Sequence, residues 1–131
     1  MRNYRIAEAA ALLGVSDDTL RRWAEAGRLS TITDQSGRQA VDGAQLAAFA
    51  CELASATPTT GDSTNTSMRN RFTGLVTHVV RDTVMAQVEI QAGPFRFVSL
   101  ISREAADELQ LEPGVLATAC VKSTNVAVEV P

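Results

Sequence analysis

At 131 residues, with 45% hydrophobic and 21% charged side chains, the chain has the make-up of ordinary globular protein, as one compact domain or two small ones. A formal charge of −3 excludes a general electrostatic pull toward nucleic acid, so DNA binding has to come from a local basic face or from several copies of one. Cys51 and Cys120 lie far apart without CxxC spacing, which suggests neither a zinc site nor a disulfide; they read as buried thiols in a reducing cytosol.

The opening run, "MRNYRIAEAAALLG", is too interrupted by charge for a secretory apolar core, and no segment approaches the length of a membrane span. A cytoplasmic protein without a membrane partner is expected. Ile6, Ala9, Ala10 and Leu13 recur at helical spacing, and Gly14 supplies the permissive backbone that ends a short helix. Ser16 is a good N-cap. Asp17 and Asp18 suit the positive end of a helix dipole, and Leu20, Trp23 and Ala24 form one apolar face of a second helix ending near Gly27. Two short helices joined by "LLGVS" have the form of a helix-turn-helix.

With Leu20 and Trp23 inward, Thr19, Arg21 and Arg22 are left on or beside the outer surface of the second helix. Arginine pairs bidentately with guanine or phosphate, and a hydroxyl at a helix start anchors phosphate. The plainer reading, solvated charges on a small helix, fits the two arginines equally well. The next stretch favours DNA: residues 31–33 and 39–41 can pair around "DQSG", with Gly37 in the tight turn and Arg38 projecting from a wing. Asp42 then caps a third helix in which Leu46, Phe49 and Leu53 pack back on the other two.

The run "YRIAEAAALLGVSDDTLRRWAEAGRL" resembles the winged helix-turn-helix of the MerR and excisionase group of DNA-binding proteins, over roughly Tyr4 to Leu53. The resemblance implies that the second helix enters the major groove of double-stranded DNA. Ser16, Thr19, Arg21 and Arg22 would then contact groove and phosphate, with Arg28 and Arg38 on phosphate. The hairpin carries fewer basic residues than the usual G-G-x-R pattern.

From Ala54 to Ser67 the sequence "ASATPTTGDSTNTS" is rich in Ser, Thr, Gly and Pro and reads as a linker. The expected organisation is a DNA-binding domain over 1–54, a flexible linker over 55–66 and a second domain over 67–131. In that second domain "FTGLVTHVV", "VMAQVEIQ" and "FRFVSLI" alternate as half-buried strands do, "REAADELQL" is a short helix, and "VLATACVK" and "NVAVEV" supply two more strands. The expected fold is therefore α+β in two domains, the second a five-stranded OB-like barrel with one short helix. His78 reads as a plain strand residue. No nucleophile–base pair, cluster of metal-cation ligands or phosphate loop is present in the sequence, so an enzyme is the weakest class.

Ser67, Arg69 and Asn70 lead into the first of these strands, and Lys122, Ser123 and Thr124 form the corner between the last two. Directed hydroxyls, backbone N–H groups and one or two cationic heads are what a tetrahedral oxyanion needs. A solvated strand lead is the plainer alternative. The segments "SMRNRFTGLV", "SLIS" and "KSTNVAVEV" resemble the S-x-R-N-x-x-x-G-x-V, S-I-I-T and K-A-S-x-V-x-V segments of the Mop, or TOBE, domain of molbindins and molybdate-responsive regulators, over Thr66 to Val130. The resemblance implies molybdate or tungstate bound as an oxyanion between subunits. Ser67, Arg69 and Asn70 would form one wall, Ser99 a second, and Lys122 and Ser123 a third, in a dimer or hexamer assembled through this domain. Arg81, Asp82 and Thr83 stand where the family usually has a glycine-containing turn, and Ser123 replaces the common alanine. The function implied is a transcriptional regulator that senses oxyanion supply. The alternatives are a molbindin-type storage protein and a DNA-binding protein whose TOBE domain only oligomerises.

Overall fold

The computed structural model describes residues 2–56 and 65–131, which divide into two compact units, Met1–Pro58 and Thr59–Pro131. The first unit begins with a strand, β1 (Asn3–Arg5), that passes directly into helix α1 (Ile6–Leu13). Gly14 ends α1 in the left-handed region at φ 73°, where its N–H reaches back to Ala11 O and a Cβ would be strained. Helix α2 (Asp17–Glu25) follows, with the Ser16 hydroxyl accepting from Thr19 N at 3.1 Å. The hairpin β2 (Ile32–Thr33) and β3 (Gln39–Asp42) comes next, and then helix α3 (Gly43–Ala56). Asp42 caps α3 by accepting from Gln45 N at 3.1 Å.

The hairpin is part of a three-stranded antiparallel sheet in the order β1-β3-β2, with Tyr4 opposite Val41 and Ile32 opposite Ala40. Three-residue β1 has no periodicity of its own to reveal it. The helices and sheet enclose Ile6, Ala9, Ala10, Leu20, Leu29, Val41, Leu46 and Phe49, with Trp23 and Leu53 packed against them. Helix α3 runs to Ala56, so the first two positions of the expected 55–66 linker are helical; residues 57–64 of that linker lie outside the described residues.

In the second unit three long strands follow one another by hairpins: β4 (Asn70–Arg81), β5 (Met85–Ala92) and β6 (Phe95–Ser102). On β5, Ala86, Val88, Ile90 and Ala92 are buried while Gln87 and Gln91 are exposed, the period of two that a one-sided sheet demands. Ser102 caps helix α4 (Arg103–Glu108) by accepting from Ala105 N, and β7 (Leu116–Val121) leads to a 3-10 turn at Ser123–Asn125. The turn between β4 and β5 dispenses with glycine. Asp82 accepts from Val84 N at 2.7 Å and Met85 N at 2.6 Å, and these bonds, Met85's foremost, hold its carboxyl below the usual range.

The sheet has four strands, in the order β6-β5-β4-β7, rather than the five expected. The segment Val126–Pro131, expected as the last strand, pairs with no other strand among the described residues. Its alternation gives it a strand's character but no partner strand among the described residues, and Val128 and Val130 are 89% and 82% exposed. The reading of the cysteines also needs correction: Cys51 and Cys120 are both exposed, Cys51 on α3 and Cys120 on β7, an edge strand of its sheet. No helix among the described residues is long and apolar enough to cross a membrane.

Candidate nucleic-acid and oxyanion sites

On α2, Leu20 is fully buried, which turns Asp18, Arg21, Arg22 and Glu25 outward at helical spacing. Arg22 Nη2 donates to Thr19 Oγ1 at 3.2 Å, and Thr19 Oγ1 lies 2.9 Å from Ser16 Oγ, so three of the expected DNA contacts form one hydrogen-bonded chain at the start of the helix. Arg21 forms a loose ion pair with Asp18 at 3.7 Å. Arg38 is exposed at the hairpin, where its N–H donates to Asp34 Oδ1 at 2.9 Å. That bond is the chief reason the Asp34 carboxyl sits below its ordinary range. Arg28 stands apart from the group: its guanidinium lies 5.3 Å from the Trp23 ring centroid and 5.4 Å from that of Phe49, an exposed cation–π stack over the core. Sequence spacing does not reveal that stack, because Trp23 and Phe49 come from different helices.

In the second unit the register of β4 with β7 places Asn70 opposite Val121, and Asn70 Nδ2 donates to Val121 O at 3.2 Å. Exposed Ser67 and Arg69 are thereby brought to the same end of the sheet as exposed Lys122 and Ser123. Asn125 N donates to Lys122 O at 2.9 Å and tightens that corner. Ser99 lies on β6, at the opposite edge of the sheet, facing Val88 in register. It shares with Cys120 and Val121 an open cavity of about 510 Å³ whose walls include Val88, Ile90, Phe97 and Ile101. The cavity was not foreseen from sequence. Its lining comes from β5, β6 and β7 together, which the alternation of any one strand does not reveal.

The approach of β5 to β4 depends on Gly74. A Cβ there would run into the Gln91 carbonyl and stand 2.8 Å from Ala92 Cα. The sequence pattern of the TOBE domain matches residues 66–128, which contain this glycine and both corners. The pattern of MerR family regulatory proteins matches residues 5–39, from the end of β1 through the hairpin turn.

The second unit is a TOBE domain. A molybdate-binding protein from Sporomusa ovata is 32% identical, the match covering 50% of this chain and 98% of that one, with a TM-score of 0.49. MopII from Clostridium pasteurianum is 34% identical over 50% of this chain and all of its own, with a TM-score of 0.48. The cytoplasmic molybdate-binding protein ModG is 35% identical over 51% of this chain and 48% of its own, with a TM-score of 0.49. No functionally curated protein matches. This TOBE-domain protein therefore joins a MerR-type helix-turn-helix to a second unit similar in sequence to small molybdate-binding proteins.

Proposed function

We propose that the chain is a DNA-binding transcriptional regulator that binds molybdate or tungstate through its TOBE domain and reports their supply. The observation that carries this reading is the pairing of Asn70 with Val121, which gathers Ser67, Arg69, Lys122 and Ser123 at one corner of a domain similar to molybdate-binding proteins. Two cationic heads and several hydroxyls suit a tetrahedral dianion, and Ser123 adds a hydroxyl donor of its own. Ser99, across the open cavity, would join the site from a second wall.

The site is completed by a second copy of the chain. The largely apolar cavity lined by β5, β6 and β7 is partly open, and the unpaired tail carries Val126, Val128 and Val130 at the period of a strand. A tail from a neighbouring copy seated there would cover both sheet edges and set its Lys122 corner beside another's Ser99 wall. The assembly would be a dimer or a hexamer.

Assembly is also what DNA binding needs. Residues 1–58 carry six arginines and seven carboxylates, so a single copy has no electrostatic surplus, and useful affinity comes from linking copies on neighbouring half-sites. Thr19, Arg21 and Arg22 on α2 would contact the major groove and the phosphates that flank it, with Ser16 and Arg38 on the backbone. Storage of oxyanion is the second reading, favoured because the match spans nearly the whole of the small molybdate-binding proteins.

Titration calorimetry of the full chain with molybdate, tungstate and sulfate tests the ligand. Molybdate and tungstate are nearly equal in size and larger than sulfate, so fixed donors should bind both alike and sulfate far more weakly. Equal affinity for sulfate would remove the molybdate reading. Replacing Arg21 and Arg22 by alanine separates regulation from storage: DNA binding should vanish while oxyanion affinity stays intact.

A further inference from the structure

The outward stripe of α2 holds a feature that phosphate binding does not explain. Asp18 is 92% exposed, stands at the second position of the helix and lies beside Arg21. A carboxylate on a surface that meets a polyanion weakens every sequence-independent contact. Helix-dipole compensation alone does not require it, since Asp17 already occupies the first turn and the Ser16 hydroxyl already satisfies Thr19 N. Arg22 is engaged differently. Its guanidinium is tethered to the Thr19 hydroxyl and through it to Ser16, which holds it against the helix start where a phosphate would lie. Among the described residues Arg21 has only the loose 3.7 Å pairing with Asp18, which solvent screens and which opens at little cost.

The two side chains offer a donor fork and an acceptor next to each other on one exposed face. In the major groove only guanine presents two adjacent acceptors, O6 and N7, for a bidentate arginine, and its partner cytosine presents the N4 amino group, which a carboxylate accepts from. We infer that Asp18 and Arg21 act together as a reader of a G·C base pair, Arg21 on the guanine and Asp18 on the cytosine amino group of the same or the adjacent pair. The inference rests on the DNA-binding reading above and deepens it: the first unit would gain from Asp18 not affinity but choice of sequence. Arg22, Ser16 and Arg38 would fix position on the backbone, and the Asp18–Arg21 pair would set what is read.

The test uses the full chain and a library of duplexes with a randomised core, selected at fixed salt, first with the wild type and then with D18A, D18N and R21A, each checked by circular dichroism for an unchanged helical fold. The wild type should enrich a G·C pair at one position per half-site. D18A should lose roughly tenfold of discrimination at that position and keep its preferences elsewhere. D18N should move the preference there toward A·T, because an amide fits the adenine N6 and N7 edge. R21A should bind the selected site at least roughly tenfold more weakly. If D18A instead binds every duplex more tightly by one common factor, or if D18N leaves the selected base unchanged, Asp18 is a helix-end charge and the inference is overturned. Failure of the DNA reading looks different: the wild type would enrich no sequence and R21A would bind as the wild type does.

Discussion

The two units solve the problem of burying apolar surface in opposite ways. In the first, three helices and a small sheet enclose a core of eight buried residues, and among the described residues only Leu12 and Ile32 are large hydrophobics left exposed. In the second, the buried cluster is Val76, Val88 and Ile90, while twelve large hydrophobics from Phe72 to Val130 are exposed. So much apolar surface left in water marks the second unit as a place of interaction. On the proposed reading the first unit is stable alone and the second is completed by a copy of itself.

The sharpest way to break that contrast is to remove residues 126–131. Each of the three valines buried in a partner contributes about 1.5–3 kcal/mol, so the truncated chain should associate at least about a thousandfold more weakly and run as a monomer in light scattering at micromolar concentration. Oxyanion binding should fall with it. Leu20→Ala probes the other side of the comparison. It should cost the first unit about 2–5 kcal/mol by leaving a cavity, with an unfolding midpoint that does not change with protein concentration. The second unit's midpoint should rise with concentration. Gly74→Ala forces a Cβ onto the Gln91 carbonyl and should destabilise the second unit by about 1–3 kcal/mol, with the first unit's transition unmoved in the same calorimetric scan.

Asp82→Ala has the smallest effect and a pH signature. The folded Asp82 carboxyl titrates below its ordinary value, so its stabilisation is complete above that value and is lost as pH falls through the lowered one. Wild type and variant should therefore differ most in thermal stability near neutral pH and converge in acid. A difference that persists unchanged into strong acid would mean that the turn does not depend on the carboxylate.

Local chemistry was legible in the sequence where a residue acts on its own neighbours. Gly14 ending α1, Ser16 capping α2 and Asp42 capping α3 each depend on contacts within a few positions, and spacing alone pointed to them. Pairing at a distance was harder to read. The strand β1 is three residues long and owes its existence to β3, some forty positions away. The tail from Val126 to Val130 alternates as strictly as β5, yet alternation specifies a pleated segment and not which sheet receives it. The exposed thiols of Cys51 and Cys120 and the stacking of Arg28 on Trp23 and Phe49 were hidden for the same reason, since each is decided by how elements pack. At the oxyanion corner the residue types were visible from the start, but their convergence depends on the register of β4 with β7.

The central claim is that one chain couples an oxyanion to DNA. It is tested most directly by the affinity of the full chain for its selected duplex, measured at fixed salt and protein concentration with and without saturating molybdate. Linkage requires that any change in DNA affinity be matched by an equal change in molybdate affinity when DNA is present. The account predicts a measurable shift, which Lys122→Ala abolishes while leaving DNA binding itself in place. Identical binding curves with and without molybdate would contradict it and leave the TOBE domain as a device for assembly alone.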